Sequence, residues 1–140
     1  MKKLILLTLL FSLNPLFAQK MEVKYGMLFY NNKITTPINA AIKSKNVSPE
    51  AYRYFRDAVV NRLVNCLILG YGGYELDRGK KMADLTQHHH HIDHIPLGIT
   101  LVSIVPGRES LRRINIYKGV RAYNEAILKK EIEESKKTLN

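Results

Sequence analysis

The sequence predicts a mainly α protein. Its centre is a helical hairpin of two apolar arms embedded in a membrane, preceded by a short β-hairpin and followed by an amphipathic helix. Three observations predict this. Two apolar stretches, Ala58 to Leu76 and Ile95 to Pro106, flank a charged, histidine-rich link from Asp77 to His94. Helix-start signals stand at Thr36-Pro37 and at Ser48-Pro49-Glu50. The aromatic stretch near the beginning alternates with the period of two that a strand shows.

Taken in order, residues 1–18 read as a secretory signal peptide. Lys2 and Lys3 are its positive start, Leu4 to Leu13 its apolar run, and Ala18 the small residue before the cut. That run is too short to span a bilayer comfortably. Residues 19–140 then form one small domain. Val23, Tyr25, Met27 and Phe29 alternate as a strand, Asn31-Asn32 turns the chain, and Lys33 to Thr35 returns. Thr36 caps a short helix whose Ile38, Ala41 and Ile42 share a face, ending near Lys45-Asn46.

Ser48 caps a longer helix. Tyr52, Phe55, Val59, Leu63 and Cys66 recur on it at spacings of three and four, which places them on one helix face. Beyond Leu63 polarity nearly vanishes, so the helix is expected to pass from a surface into lipid or a core. Tyr71-Gly72-Gly73-Tyr74 continues the run with small residues, which let membrane helices approach closely. The second arm, residues 95–106, is bracketed by Pro96 and Pro106. The last segment, residues 108–140, is a helix. It carries Leu111, Ile114, Tyr117, Val120, Tyr123 and Ile127 at helical spacing, then a charged tail.

The formal net charge is +10, from 22 Lys and Arg against 12 Asp and Glu, spread along the chain. Such charge attracts nucleic acid or anionic lipid. No nucleic-acid motif accompanies it, and the export signal favours lipid as the partner. The single cysteine, Cys66, excludes an internal disulfide and reads as a small packing residue. No phosphate loop and no nucleophile with a base partner is visible; Ser103 and Ser110 have no histidine near them in sequence.

The order of motifs resembles a family of small uncharacterised bacterial envelope proteins. The matching residues are Tyr52, Arg56, Ala58 and Asn61, then Leu69 to Gly73 in a glycine-rich arm. Pro96-Leu97-Gly98 through Ile104-Val105-Pro106 match a second arm, and Ala122-Tyr123-Asn124 a closing signature. The resemblance implies a membrane-associated helical hairpin and no known activity. Where that pattern has a more apolar, glycine-rich link, this chain has Glu75, Asp77, Arg78 and its histidines.

The one constellation with chemical potential is His88, His89, His90, His91, Asp93 and His94. Its spacing matches H-x-H-x-D-H, similar to the signature of the metallo-β-lactamase superfamily. All five histidines lie within 88–94, however, so no distant histidine completes either metal site of that fold. Neutral imidazoles suit Zn, Ni and Cu, and short histidine tracts are a compositional signal for metal. In a helix, His90 and His94 would share a face. The sequence therefore points to a non-enzymatic, exported envelope membrane protein with lipid as its partner and no cofactor. The alternative is an exported metal-binding protein using residues 88–94, or a solvated polar link without ligand.

Overall fold

The computed structural model describes residues 20–85 and 94–139, with side chains for 20–82 and 94–137. The expected signal peptide and the histidines at 88–91, with Asp93, lie outside the described residues. Within them the protein is mainly helical, with a small sheet at its beginning. Three strands, β1 (Met21–Lys24), β2 (Met27–Tyr30) and β3 (Lys33–Thr35), precede three helices, α1 (Pro37–Ser44), α2 (Pro49–Leu85) and α3 (His94–Leu139). They form two compact units. Of the described residues, one comprises those up to Arg56 together with those from Ile116 on, and the other comprises those between Asp57 and Asn115.

In the first unit the sheet is an antiparallel meander in the order β1-β2-β3, with Met21 opposite Tyr30 and Leu28 opposite Thr35. The stretch expected as one strand is itself a hairpin. It turns at Tyr25-Gly26, both left-handed at φ 54° and 74°, and again at Asn31-Asn32, at φ 51° and 60°. Two consecutive positive φ angles make the tight two-residue turn whose twist matches that of paired strands. Glycine and asparagine adopt it readily; Tyr25 does so at a cost.

Both helix starts form as the sequence predicts. Thr36 Oγ1 accepts from the Asn39 amide at 3.3 Å, and Ser48 Oγ accepts from Ala51 at 3.2 Å. The buried side of α1 is made by its small residues. Ala40, Ala41 and Ser44 are buried, while Ile38 and Ile42 are exposed, Ile42 by 67 %. The buried apolar residues described in this unit are Met21, Leu28, Ala40, Ala41, Ala51, Phe55, Ile116, Ala122 and Tyr123. Gly119 lets the Phe55 ring lie against α3, since a Cβ there would meet that ring at 2.9 Å.

In the second unit α2 and α3 pack antiparallel. Two boundaries change from expectation. α2 runs on past Leu76 to Leu85, and Pro106 lies inside α3 instead of ending an arm. The second apolar arm and the closing helix are thus one continuous helix. Among the described residues, no helix is long and apolar enough to cross a membrane. Asn61, Arg62, Asn65 and Glu75 dilute the first arm, and Arg108 closes the second.

Candidate functional site

The second unit turns small and polar residues inward and large apolar ones outward. On α2, Ala58, Asn65, Gly72, Glu75 and Gly79 are buried, while Leu63 is 61 % and Leu67 73 % exposed. The free thiol of Cys66 is exposed as well, so it is not a packing residue. Ala58, Asn65, Gly72 and Gly79 stand seven residues apart. A seven-residue period keeps one seam facing a partner helix along its length. Here the seam is made of small and polar residues, not leucines.

Small residues bring the backbones together. A Cβ on Gly98 would sit 2.8 Å from the Gly72 carbonyl oxygen and 2.6 Å from Leu76 Cγ. A Cβ on Gly72 would sit 3.3 Å from the Gly98 carbonyl oxygen. The two glycines therefore meet backbone to backbone. At one end of the seam Gly79 does the same against Ile95, where a Cβ would meet the Ile95 amide nitrogen at 3.3 Å.

Polar side chains hold the seam at two places. Arg108 reaches from α3 to α2, donating through Nε to Asn65 Oδ1 at 3.1 Å and through Nη2 to Asn61 Oδ1 at 3.0 Å. Arginine has only donors, so both amides must turn their oxygens to it. That leaves the amide nitrogen of Asn65, a residue only 5 % exposed, without an acceptor among the described residues. Nearer the histidine link, Glu75 lies between the helices with its side chain 4 % exposed, and its Oε2 is 2.6 Å from His94 Nδ1. The Tyr71 hydroxyl, one helical turn before Glu75, donates to the same carboxylate.

The outward surface is apolar. From 58 to 76 the exposed positions of α2 are Val60, Arg62, Leu63, Cys66, Leu67, Leu69, Gly70, Tyr71, Gly73 and Tyr74, with one charge among them. From 95 to 111 no exposed position of α3 is charged. The hydroxyls there turn back onto their own helix. Thr100 donates to the Pro96 carbonyl at 2.8 Å, Ser103 to Thr100 at 2.8 Å and Ser110 to Pro106 at 3.1 Å.

In the first unit the closing Ala-Tyr-Asn signature acquires a physical role. Asn124 Oδ1 accepts from the Met21 amide at 3.0 Å, and its Nδ2 donates to the Met21 carbonyl at 2.8 Å. One side-chain amide thus pairs with the edge of β1 as a neighbouring strand would, which blunts that edge against other chains. Tyr123 packs edge-on against Tyr30, ring centroids 6.3 Å apart, under the Lys43 ammonium that sits 4.2 Å over the Tyr30 ring. Burial, then its hydrogen bond to Tyr30, pushes the Tyr123 phenol well above the usual tyrosine range.

Of the six residues that sequence reading offered as metal ligands, the structure describes His94 alone and bonds it to Glu75. Among the described residues no group of three His, Cys, Asp or Glu side chains is placed to hold a metal. Sequence reasoning did not pair Glu75 with His94, Arg108 with the two asparagines, or Asn124 with Met21. The seven-residue spacing of Ala58, Asn65, Gly72 and Gly79 was the signal available for the seam. Against known proteins the chain matches no family model, no curated protein and no solved structure.

Proposed function

We propose that this is a non-enzymatic membrane protein of the bacterial envelope, anchored by the paired middle portions of α2 and α3. The observation that carries the reading is the reversal of polarity in the second unit. Asn61, Asn65, Glu75 and Arg108 engage the opposite helix or lie buried between the two, while leucines, isoleucines and tyrosines face out. In water the burden of stability falls on buried apolar side chains. In lipid, helices associate through small residues and interhelical hydrogen bonds, and ionisable groups turn away from the acyl chains.

Each helix alone is too polar to cross. As a pair they hide from lipid most of the groups that make them so. Ala58 to Leu76 is about 28 Å long at the helical rise, and Ile95 to Leu111 about 25 Å, against a hydrocarbon core of about 30 Å. Arg62, the one exposed charge of the first stretch, lies near its end, where a long side chain reaches back to the headgroups. The self-bonded hydroxyls of Thr100, Ser103 and Ser110 present no unsatisfied donor to the acyl chains. The resemblance in the order of motifs to exported envelope proteins supports the same reading, as does the basic charge.

Carbonate washing of membranes from cells expressing the full chain tests it. An embedded pair stays with the pellet. Release into the supernatant, as for a protein held only by charge, refutes the proposal.

A further inference from the structure

We propose that Arg108 binds a phosphate group, gripping it with the edge of the guanidinium that Asn61 and Asn65 leave free. Two of the described arginines are half-buried, Arg108 and Arg112, one turn apart on α3. Arg112 lays its Nε edge against the Glu109 carboxylate, with Nε at 2.9 and 2.8 Å from the two oxygens. Its charge is matched where it is buried. Arg108 lays the same edge against two neutral amides, Nε on Asn65 and Nη2 on Asn61. The acid beside it in sequence, Glu109, is engaged by Arg112 and Arg113. Among the described residues Arg108 has no ion-pair partner. A guanidinium keeps its charge at every physiological pH, and a charge withdrawn from water without a counter-ion is costly. The missing charge must be supplied by a bound anion.

The two asparagines stand one turn apart on α2, and together they fix the plane of the guanidinium by both donors of one edge. The opposite edge keeps one N–H on each Nη, the parallel pair that meets two oxygens of a phosphate or carboxylate. That edge has no partner among the described residues. Asn65 is a second sign. Its amide nitrogen is buried without an acceptor among the described residues, and a buried orphan donor calls for a reason. Here the orphan is what results from turning both amide oxygens to one cation, so that its fork is held in place. The choice of phosphate among oxyanions rests on the membrane reading. That reading sets Arg62 at the headgroups, and Asn61 is the residue next to Arg62. The bond from Asn61 therefore holds Arg108 at the same level, where phosphate is the abundant oxyanion.

The test uses the full chain in a mild, phosphate-free detergent with two probes, short-chain phosphatidylglycerol and inorganic phosphate. The nitrogen and proton shifts of the arginine side chains are followed in the wild type. Arg108 should shift saturably with at least one probe. Saturation by the lipid alone names a headgroup as the source, and saturation by inorganic phosphate names a soluble one. Arg108→Lys keeps the charge and loses the fork, so it should weaken binding by about ten- to a hundredfold, the worth of a charged hydrogen bond. Arg113→Lys makes the same change at an arginine whose side chain is 71 % exposed and should leave affinity unchanged. Retained helix content by circular dichroism excludes misfolding as the cause, and the wild-type shifts need no variant. No saturable shift at Arg108 with either probe, shifts of equal size at Arg113, or undiminished affinity in Arg108→Lys would each overturn the proposal. Phosphate binding by a chain that carbonate releases from membranes would sink the membrane reading and leave the site standing; a chain that stays in the pellet and binds neither probe would do the reverse.

Discussion

The contact between Gly72 and Gly98 makes a sharp prediction for alanine substitution. In Gly98→Ala the new Cβ would stand 2.8 Å from the Gly72 carbonyl oxygen and 2.6 Å from Leu76 Cγ. Leu76 can change rotamer; the Gly72 carbonyl belongs to helix backbone and cannot. Ordinary contact begins at 3.4 Å, so α2 and α3 must separate locally by about 0.6 Å, the kind of overpacking that costs about 1–3 kcal/mol. Against this, alanine favours a helix over glycine by about 1 kcal/mol. The matched substitution Gly73→Ala is one position along α2 from Gly72, and its Cβ meets nothing within 4 Å. It collects the helix gain without the clash. Gly73→Ala should therefore melt above wild type and Gly98→Ala at or below it, the two differing by about 1–3 kcal/mol, or several degrees in midpoint. Thermal unfolding in detergent, followed by circular dichroism, reads the difference. Equal midpoints for the two variants would mean that the helices do not meet at this glycine pair.

Other residues carry further predictions. Asn124→Ala removes both hydrogen bonds to Met21 and should cost about 1–3 kcal/mol, with faster amide exchange at Met21 to Lys24; unchanged exchange there would contradict the pairing. Because the Tyr123 phenol is raised in the folded state, the folded chain holds a proton that the unfolded chain loses above about pH 10. This contribution is fully present below that pH and falls away as pH rises past it. The unfolding midpoint of wild type should thus decline more steeply between pH 9 and 11 than that of Tyr123→Phe, and parallel declines would refute the assignment. If the signal peptide is cut after Ala18, the intact mass of the envelope-extracted protein begins at Gln19; a mass that includes Met1 would make residues 1–18 an anchor.

Local chemistry was legible in the sequence, and pairing across the chain was not. Thr36 and Ser48 announce their helices because a hydroxyl followed by proline satisfies a helix start within three residues. Asn31-Asn32 announces its turn because asparagine tolerates left-handed backbone. Tyr25-Gly26 hid inside an alternating run, since alternation alone does not say where a strand reverses. Pro106 reads as a stop, yet α3 passes through it. The largest reversal concerns Leu63 and Cys66. Spacing of apolar residues by three and four marks a shared helix face and does not say whether that face turns inward. Here the stripe that turns inward is Ala58, Asn65, Gly72 and Gly79, which a reading weighted by hydrophobicity passes over. Glu75 with His94, Arg108 with Asn61 and Asn65, and Asn124 with Met21 join residues 19 to 103 positions apart, and no local pattern announces such partners.

The central claim is that the outward face of the paired helices meets lipid, and the chain carries its own reporter. Cys66, its single cysteine, is exposed near the middle of that face. A nitroxide attached to Cys66 in reconstituted membranes should relax strongly with oxygen, which concentrates in the acyl region, and weakly with a water-soluble nickel chelate. A label on Lys136→Cys, in a Cys66→Ala background, should show the opposite order. Equal access of the nickel chelate to both labels would place Cys66 in water and contradict the account.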